Sequence, residues 1–307
     1  MRTIELTTKW ALIALAVAAS SGCTALGRMA VNRIGDQLSS GGAVFSSDED
    51  PELVLGAIPF GLKTYESLLA ASPKHRSLLL STASGFAAYG FLLSQQGDLD
   101  EGMTSAAQRQ LHQRVSRLYL RARDYALRGL ALEHPKLPAA LAAGSTGALA
   151  DVRKTDVAFL YWAGIAWAGA ISAARGDPNL IAELPTAAAL MTRALALDES
   201  YDAGAIHEFF VNYEGSRPGG DFAAARAHYE RACELSRGAR ASVHLALAES
   251  VSVREQNVEE FRMLVERALA IDPNSVPEWR VVNTLAHRRA EWLGKHPSNW
   301  FADLEEN

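Results

Sequence analysis

Apolar residues recur at every third or fourth position along most of the chain after residue 50, which is the spacing of amphipathic helices. The first such segment, Leu53–Leu69, has an apolar face made of Leu55, Ile58, Leu62, Tyr65 and Leu69. Asp50, followed by Pro51 and Glu52, is typical of a helix N-cap and first turn, and Pro73 stops the helix. No segment shows the convincing alternation of apolar and polar residues that a half-buried strand requires. The pattern therefore predicts an all-α fold.

Several segments share the pattern of the second helix of a tetratricopeptide (TPR) repeat, in which a small residue lies among apolar positions and a turn follows. The clearer copies are Val265–Pro273, Met191–Asp198 and Tyr229–Ser236, and weaker ones are Tyr65–Pro73 and Tyr125–Pro135. Their small residues Ala194, Ala232 and Ala268, where we expect helices to cross closely, are 38 and 36 residues apart. A TPR repeats after about 34 residues. The sequence predicts a TPR-like array of helical hairpins (an α-solenoid), with extended loops around Leu137–Lys154 and Asp177–Leu184.

Residues 1–22 have the layout of a secretory signal peptide. A short charged start precedes the uncharged run Trp10–Ala19, which is too short for a permanent span because about 20 apolar residues are needed. The segment Ser20–Cys23 resembles the lipobox of bacterial lipoproteins, although Ser20 stands where that pattern usually has leucine. The resemblance implies that Cys23 is acylated after cleavage. The alternative is an ordinary signal peptide that is cleaved nearby.

Residues 23–49 are rich in glycine, serine and acidic residues, which predicts a flexible tether with a short helix around Leu26–Leu38. The helical domain then covers residues 50–307. Thr24 follows Cys23, and by resemblance to Gram-negative sorting rules this implies the outer membrane. The predicted location is therefore the periplasm, with a lipid anchor on the inner face of the outer membrane.

Composition and motifs exclude several function classes. Removing residues 1–22 changes the formal net charge from −5 to −6, so nothing indicates nucleic-acid binding. With Cys23 acylated, Cys233 has no disulfide partner, and its apolar helical surroundings predict a buried free thiol. His207-Glu208 lacks a second histidine one turn later, and the glycines of Gly215–Gly220 follow no strand. We therefore expect no metal site, no cofactor and no catalytic residue, so the chain is not predicted to be an enzyme.

Four aromatic residues, Phe159, Tyr161, Trp162 and Trp167, lie on one predicted helix. Such a stripe more often belongs to a core than to a binding site. Adjacent residues of a helix point to different faces, however, so Tyr161 and Trp162 do not both fit one core. We predict that Tyr161, Trp162 and Trp167 line a groove for an apolar ligand, since ligand pockets are mainly apolar and aromatic.

A second candidate is the polar set Asp202, His207, Glu208, Asn212 and Tyr213, which interrupts an apolar helix. Buried polar groups need hydrogen-bond partners, and two interpretations stay open. The set forms either a hydrogen-bonded clamp for the loop Glu214–Asp221 or polar contacts at the mouth of a ligand channel. Arg288 and Arg289 are a weaker candidate, because adjacent arginines usually occupy a solvated helix face.

Several blocks of the sequence together resemble one protein family. They are Asp50–Val54, Tyr65–Leu69, Ala83–Phe86, Leu118–Tyr125, Leu160–Trp167, Asp177–Ile181, Leu184–Pro185, Asp202–Phe210, Tyr213–Gly220, Ala246–Val253 and Asn283–Ala290. From Asp50 to its C-terminus the chain resembles the T-component family of TRAP transporters. The resemblance implies a periplasmic lipoprotein of TPR-like helical pairs that forms a homotrimer with a central channel or cleft. It also implies a TRAP-type periplasmic solute-binding protein as partner and a small, hydrophobic organic ligand as cargo.

Two hypotheses of function follow. The leading one is a membrane-tethered accessory of a TRAP-type solute uptake system, which binds the solute-binding protein and the small ligand. The alternative is a TPR scaffold lipoprotein for envelope assembly, which holds protein clients and no small ligand.

Overall fold

The computed structural model describes residues 32–38, 42–174 and 176–301 of the 307-residue chain. Within these ranges the protein consists of helices and their connections, with no strand, which confirms the all-α prediction. The α-helices are α1 (32–38), α2 (Gly42–Ser46), α3 (Pro51–Ala71), α4 (Arg76–Asp98), α5 (Ser105–Leu130), α6 (Leu137–Ala142), α7 (Val157–Ala174), α8 (Pro178–Ala182), α9 (Leu184–Leu197), α10 (Ala205–Ser216), α11 (Phe222–Leu235), α12 (Ala241–Leu247), α13 (Val258–Leu269) and α14 (Arg280–Lys295). The predicted signal peptide and Cys23 lie outside the described residues.

The first long helix begins and ends where the sequence predicts. Asp50 Oδ1 accepts a hydrogen bond from the Leu53 amide at 2.9 Å, so Asp50 is the N-cap of α3. The helix ends at Ala71, directly before Ser72 and Pro73. The hydroxyl of Thr104 caps α5 in the same way. Because the connections between α3, α4 and α5 are short, these helices run antiparallel to one another.

Small residues allow the helices to pack closely. A Cβ atom added at Gly129 of α5 would lie 2.0 Å from the Phe159 ring of α7, so the bare backbone of α5 faces this ring. The alanines at which the sequence predicts close crossings, Ala194, Ala232 and Ala268, are fully buried. One buried cluster extends from α3 to α10 and a second extends from α10 to α14. Successive helical hairpins therefore build the core, while their identity as TPR repeats stays a prediction.

The last long helix returns to the first hairpin. Val281 and Leu285 of α14 share a buried cluster with Ile58 and Leu62 of α3. Outside this cluster, the Arg288 guanidinium of α14 pairs with the Glu52 carboxylate of α3, and Trp292 Nε1 donates to Glu101 at 3.0 Å. The two ends of the helical array therefore contact each other, and each covers part of the other's apolar surface.

The predicted extended loops contain short helices instead. The segment Leu137–Lys154 holds α6 and a 3-10 turn at Gly147–Asp151, and Asp177–Leu184 holds α8. Buried leucines explain the difference in the first segment, because Leu137, Leu141 and Leu149 all pack into the main core. Helical turns satisfy the backbone hydrogen bonds of a segment that is pulled inward in this way.

The described part of the predicted tether, residues 32–38 and 42–49, forms α1 and α2. α1 lies within the segment in which the sequence predicts a short helix, and its residue Asn32 is hydrogen-bonded to the α3–α4 connection. The Ser72 hydroxyl donates to Asn32 Oδ1 at 2.7 Å, and the His75 ring lies 3.0 Å from the Asn32 carbonyl oxygen. This part of the chain is therefore attached to the domain.

Three helical stretches, Arg76–Asp98, Lys154–Ala174 and Pro178–Leu197, are long and apolar enough to cross a membrane, judged by length and composition alone. Each contributes completely buried side chains to the core, for example Leu78, Leu160 and Met191. Core packing therefore accounts for much of their hydrophobicity.

Cys233, which the sequence places in the core, is half-buried, and burial raises the pKa of its thiol.

We predict opposite effects for two helical glycine-to-alanine substitutions. Gly129→Ala pushes a methyl group into the Phe159 ring and should lower the free energy of unfolding by about 1–3 kcal/mol, as overpacking does. Gly56→Ala, its matched control in α3, meets no heavy atom within 4 Å and should gain up to about 1 kcal/mol in helix propensity. Urea unfolding followed by circular dichroism measures both. Equal stability of Gly129→Ala and the wild type would contradict the close approach of α5 and α7.

Candidate functional site

Two of the four aromatic residues of α7 belong to the core. Phe159 is 1% exposed and packs against Gly129. Trp167 is 4% exposed, and its indole N–H donates to Glu183 Oε2 at 2.7 Å. Since the ring of Trp167 is enclosed and its polar atom is satisfied, the structure places this residue in the core and not in the groove predicted from the sequence.

Tyr161 and Trp162 are half-buried, and their rings contact each other. The ring centroids are 5.2 Å apart in an edge-to-face arrangement, which corrects the expectation that the two rings occupy separate faces. Although adjacent side chains leave a helix in different directions, long aromatic side chains can lean together. The Tyr161 ring also contacts Tyr201, with centroids 5.1 Å apart. Rings from α7 and from the α9–α10 connection thus form one aromatic cluster.

The α9–α10 connection holds its backbone in an unusual conformation. Asp202, Ala203 and Gly204 follow one another with φ values of 43°, 49° and 94°. The left-handed region costs an ordinary L-residue about 1–2 kcal/mol, so surrounding contacts must hold the turn in place. One of these contacts is close packing at Gly204, where a Cβ would lie 3.2 Å from the Ala232 Cα. Another is the Asp202 carboxylate, which accepts from Arg240 Nη2 at 2.9 Å.

Arg240, the residue before α12, contributes a buried cation. Its side chain is 8% exposed, and arginine is almost never buried to this degree unless it is paired. Besides Asp202, its guanidinium lies 3.6 Å from the Glu208 carboxylate and 4.8 Å from the centroid of the Trp279 ring. Burial alone would lower the pKa of Arg240, but Glu208 and Asp202 raise it above its usual value. The guanidinium therefore stays charged inside the protein.

The aromatic cluster and the buried cation lie together. Burial raises the pKa of the Tyr161 hydroxyl, the charge of Asp202 raises it further, and the charge of Arg240 opposes this effect. Tyr161 is therefore a neutral phenol that can donate and accept hydrogen bonds. We call this group of side chains the Arg240 site; it comprises Tyr161, Trp162, Tyr201, Asp202, Glu208, Arg240 and Trp279. It unites part of the predicted aromatic set with part of the predicted polar set.

His207 lies in a different cluster, between α10 and α11. It is 5% exposed, and its Nδ1 atom is 2.8 Å from Nδ1 of His228. Its other ring nitrogen is 3.3 Å from Glu199, which also accepts two hydrogen bonds from Arg231. Burial lowers the pKa of both histidines, and the nearby charge of Glu199 opposes this effect at His207. These contacts join His207 to α11 and to the α9–α10 connection rather than to the loop Glu214–Asp221.

Asn212 and Tyr213 also lie apart from the contacts that define the Arg240 site. Asn212 is exposed and donates to a main-chain carbonyl one turn earlier, at 3.2 Å. The Tyr213 ring stacks on Phe209, with centroids 5.8 Å apart, and the Arg217 guanidinium covers it at 5.2 Å. Arg217 also donates to Glu214 at 2.6 Å. Tyr213 therefore helps to hold the loop that follows α10.

The adjacent arginines of α14 have structural partners. Arg288 pairs with Glu52, and Arg289 donates to Glu249 while it lies 4.8 Å from the centroid of the Trp292 ring. Sequence reasoning missed Tyr201, Arg240 and Trp279 of the Arg240 site, together with His228 and Glu199 beside His207. The sequence feature that indicates Arg240 is a charged residue between alanines 239 and 241, at the start of an apolar helix. A charge that is buried in such surroundings requires a partner.

The similarity of this chain to known proteins shows its family. A family model described as "TRAP transporter T-component" matches residues 47–301. The chain belongs to this family. The match confirms the resemblance seen in the sequence, and it covers every residue of the Arg240 site. An uncharacterized protein of Treponema pallidum (strain Nichols) is 29% identical to the chain over 269 residues, which cover 85% of this chain and 83% of the relative.

Membership of the T-component family makes this chain an accessory component of a TRAP-type transport system. The family indicates a periplasmic or membrane-associated location and is not a known enzyme family. Within the described ranges of the T-component, no group of three or more His, Cys, Asp or Glu side chains is arranged to hold a metal ion.

We predict that the T-component loses stability as the pH falls from about 6.5 to about 4. His244 in α12 lies 2.9 Å from the Tyr229 hydroxyl, and burial lowers the pKa of His244 to about 4. Above the unfolded pKa of about 6.5 this neutral histidine contributes its full stability. Below that pH the unfolded chain takes up a proton that the folded chain does not, so stability falls until the pH reaches the folded pKa. The decline from His244 is on the order of 3 kcal/mol.

Urea unfolding at several pH values between 7 and 4 measures this decline. His244→Gln retains an acceptor for the Tyr229 hydroxyl but does not titrate, so the decline should be smaller in this variant. An unchanged decline would assign the pH dependence to other groups and contradict the prediction.

Proposed function

We propose that this T-component is a lipid-anchored periplasmic protein that binds the solute-binding protein of a TRAP-type uptake system and a small organic ligand. The Arg240 site is the observation that carries the proposal. Aromatic rings with a few fixed polar groups are the usual lining of a ligand pocket, and here they occur in a member of a transport family. In this proposal Cys23 carries the anchor in the inner face of the outer membrane, and the protein is a homotrimer.

The charges of the Arg240 site indicate the class of ligand. One guanidinium, of Arg240, faces the two carboxylates of Asp202 and Glu208, so the site carries one more negative than positive charge. A further anion would compete with these carboxylates for Arg240 and would be repelled by them. The rings of Tyr161 and Trp162 offer apolar contact instead. An uncharged, largely apolar ligand with a hydrogen-bonding group for Tyr161 fits the site best.

We predict that Trp162→Ala reduces the binding of an uncharged apolar fluorescent probe, N-phenyl-1-naphthylamine, several-fold without unfolding the domain. The substitution removes a half-buried ring that contacts Tyr161 at the site. Trp292→Ala, at the contact between α14 and Glu101, is the matched control and should leave probe binding unchanged. Fluorescence titration measures affinity, and far-UV circular dichroism monitors the fold. Equal affinity of Trp162→Ala and the wild type would assign Trp162 to the core.

We also predict that the full-length protein, purified under mild conditions from its own envelope, brings down a TRAP-type solute-binding protein. Mass spectrometry of the purified material identifies the partner, and the same purification from cells that lack the solute-binding protein is the control. Recovery of an outer-membrane assembly factor in its place would support the scaffold hypothesis and contradict the transport proposal.

A further inference from the structure

Exposed apolar side chains are concentrated at the N-terminal end of the described chain. Of the nine large apolar residues that are exposed in the described ranges, six lie between residues 32 and 60. We call these six the N-terminal apolar face; they are Ile34, Leu38, Val44, Phe45, Leu53 and Phe60. Phe60 is 81% exposed and Val44 is 69% exposed. Isolated exposed apolar residues are ordinary on a protein surface, but such a concentration marks an interaction site.

The members of this face lie on three helices: Ile34 and Leu38 on α1, Val44 and Phe45 on α2, and Leu53 and Phe60 on α3. Leu53 and Phe60 are two helical turns apart and share the solvent-facing side of α3, where Gly56 and Ala57 are also exposed. α1 lies against the second half of α3, because the Tyr65 hydroxyl donates to the Leu38 carbonyl at 3.2 Å. The residue after α2, Ser47, accepts a hydrogen bond from Arg280 at 2.8 Å, which fixes α2 at the start of α14.

We propose that the N-terminal apolar face lies on the lipid surface of the membrane in which the protein is anchored. The inference rests on the proposed acylation of Cys23. Eight residues lie between Cys23 and Asn32, so the connection spans at most about 30 Å even when it is fully extended. Asn32 is hydrogen-bonded to Ser72 at the end of α3. An acylated Cys23 thus keeps this end of α3 within about 30 Å of the bilayer, so that exposed apolar side chains of the face can reach the interface.

The charges around the N-terminal apolar face indicate which kind of lipid surface it contacts. Residues 32–60 carry one basic side chain, Arg33, and five acidic ones, Asp36, Asp48, Glu49, Asp50 and Glu52. Arg288 of α14 pairs with Glu52 and reduces this excess, but the segment stays acidic, so burial of apolar surface at a zwitterionic bilayer, and not attraction to anionic lipids, draws it to the membrane. A symmetric contact between two copies of the face would bring both acidic sets together at one interface. The charge distribution therefore favours lipid over a face-to-face pair of copies, and spin-label collision rates distinguish lipid from a different patch of a neighbouring subunit in a homotrimer.

Spin-label accessibility in vesicles tests the proposal. The acylated full-length protein, with Cys233→Ala to remove the free thiol, receives one label at Phe60→Cys or Val44→Cys. Ile181→Cys and Met263→Cys, which replace exposed apolar residues outside the face, are the matched controls. Phosphatidylcholine vesicles hold the protein, and collisions with oxygen and with a water-soluble nickel chelate are measured. We expect oxygen collisions to rise and nickel collisions to fall several-fold at positions 44 and 60 relative to the controls.

The two collision rates distinguish contact with lipid from contact with protein or water. A fall of both rates at position 60 indicates contact with a protein, such as a second copy, and overturns the proposal. Rates equal to those of the controls overturn it as well. Mass spectrometry reports the acylation of Cys23, so failure of the anchor is recognised separately. If the chain proves unacylated, its flotation with phosphatidylcholine vesicles decides the question: loss of flotation in Phe60→Asp supports the face, and absence of flotation in the parent protein overturns it.

Discussion

A positive charge buried inside a helical protein has to be balanced nearby, and this requirement at Arg240 links segments that are distant in the chain. Its carboxylate partners come from the left-handed turn after α9 and from α10, and the ring that covers it precedes α14. The Arg240 side chain is buried but that of Asp202 is 46% exposed, so solvent screens part of their attraction. The 2.9 Å bond from Arg240 to Asp202 nevertheless helps to maintain a turn that its own backbone energetics disfavour. The same turn places Tyr201 against Tyr161.

The return of α14 to the first hairpin imposes a second constraint. In an open solenoid each repeat contacts its neighbours, and stability is approximately a sum over neighbouring pairs. Here Val281 of α14 packs in one cluster with Ile58 of α3, more than two hundred residues earlier in the chain. The terminal hairpins therefore stabilise each other, which reduces the need for special capping repeats. It also means that Trp279 and Arg280, at the start of α14, have fixed positions relative to α2 and α3.

Local signals predicted the helices well and the candidate site only in part. Features that depend on neighbours in sequence could be predicted without a structure. They are the spacing of apolar residues, the Asp50 cap and the buried alanines Ala194, Ala232 and Ala268. Arg240 depends on Asp202, which is 38 residues earlier and is presented by a left-handed turn. The spacing of apolar and polar residues does not predict a left-handed turn. Asp202 and Ala203 also give no sign of one, since L-residues rarely adopt that conformation.

Partners across helices explain the remaining differences. The polar residues that the sequence groups on α10 belong to two different clusters. His207 contacts His228 of α11, whereas Glu208, the next residue, lies toward Arg240. A single helix cannot show this division, since it depends on which neighbour lies on each side. Neighbouring residues that face different partners also connect the Arg240 site with the N-terminal apolar face. Trp279 covers Arg240, and the next residue, Arg280, binds the Ser47 carbonyl beside α2. Because these residues are consecutive, the backbone that positions one wall of the Arg240 site also holds the part of the chain that carries Val44 and Phe45.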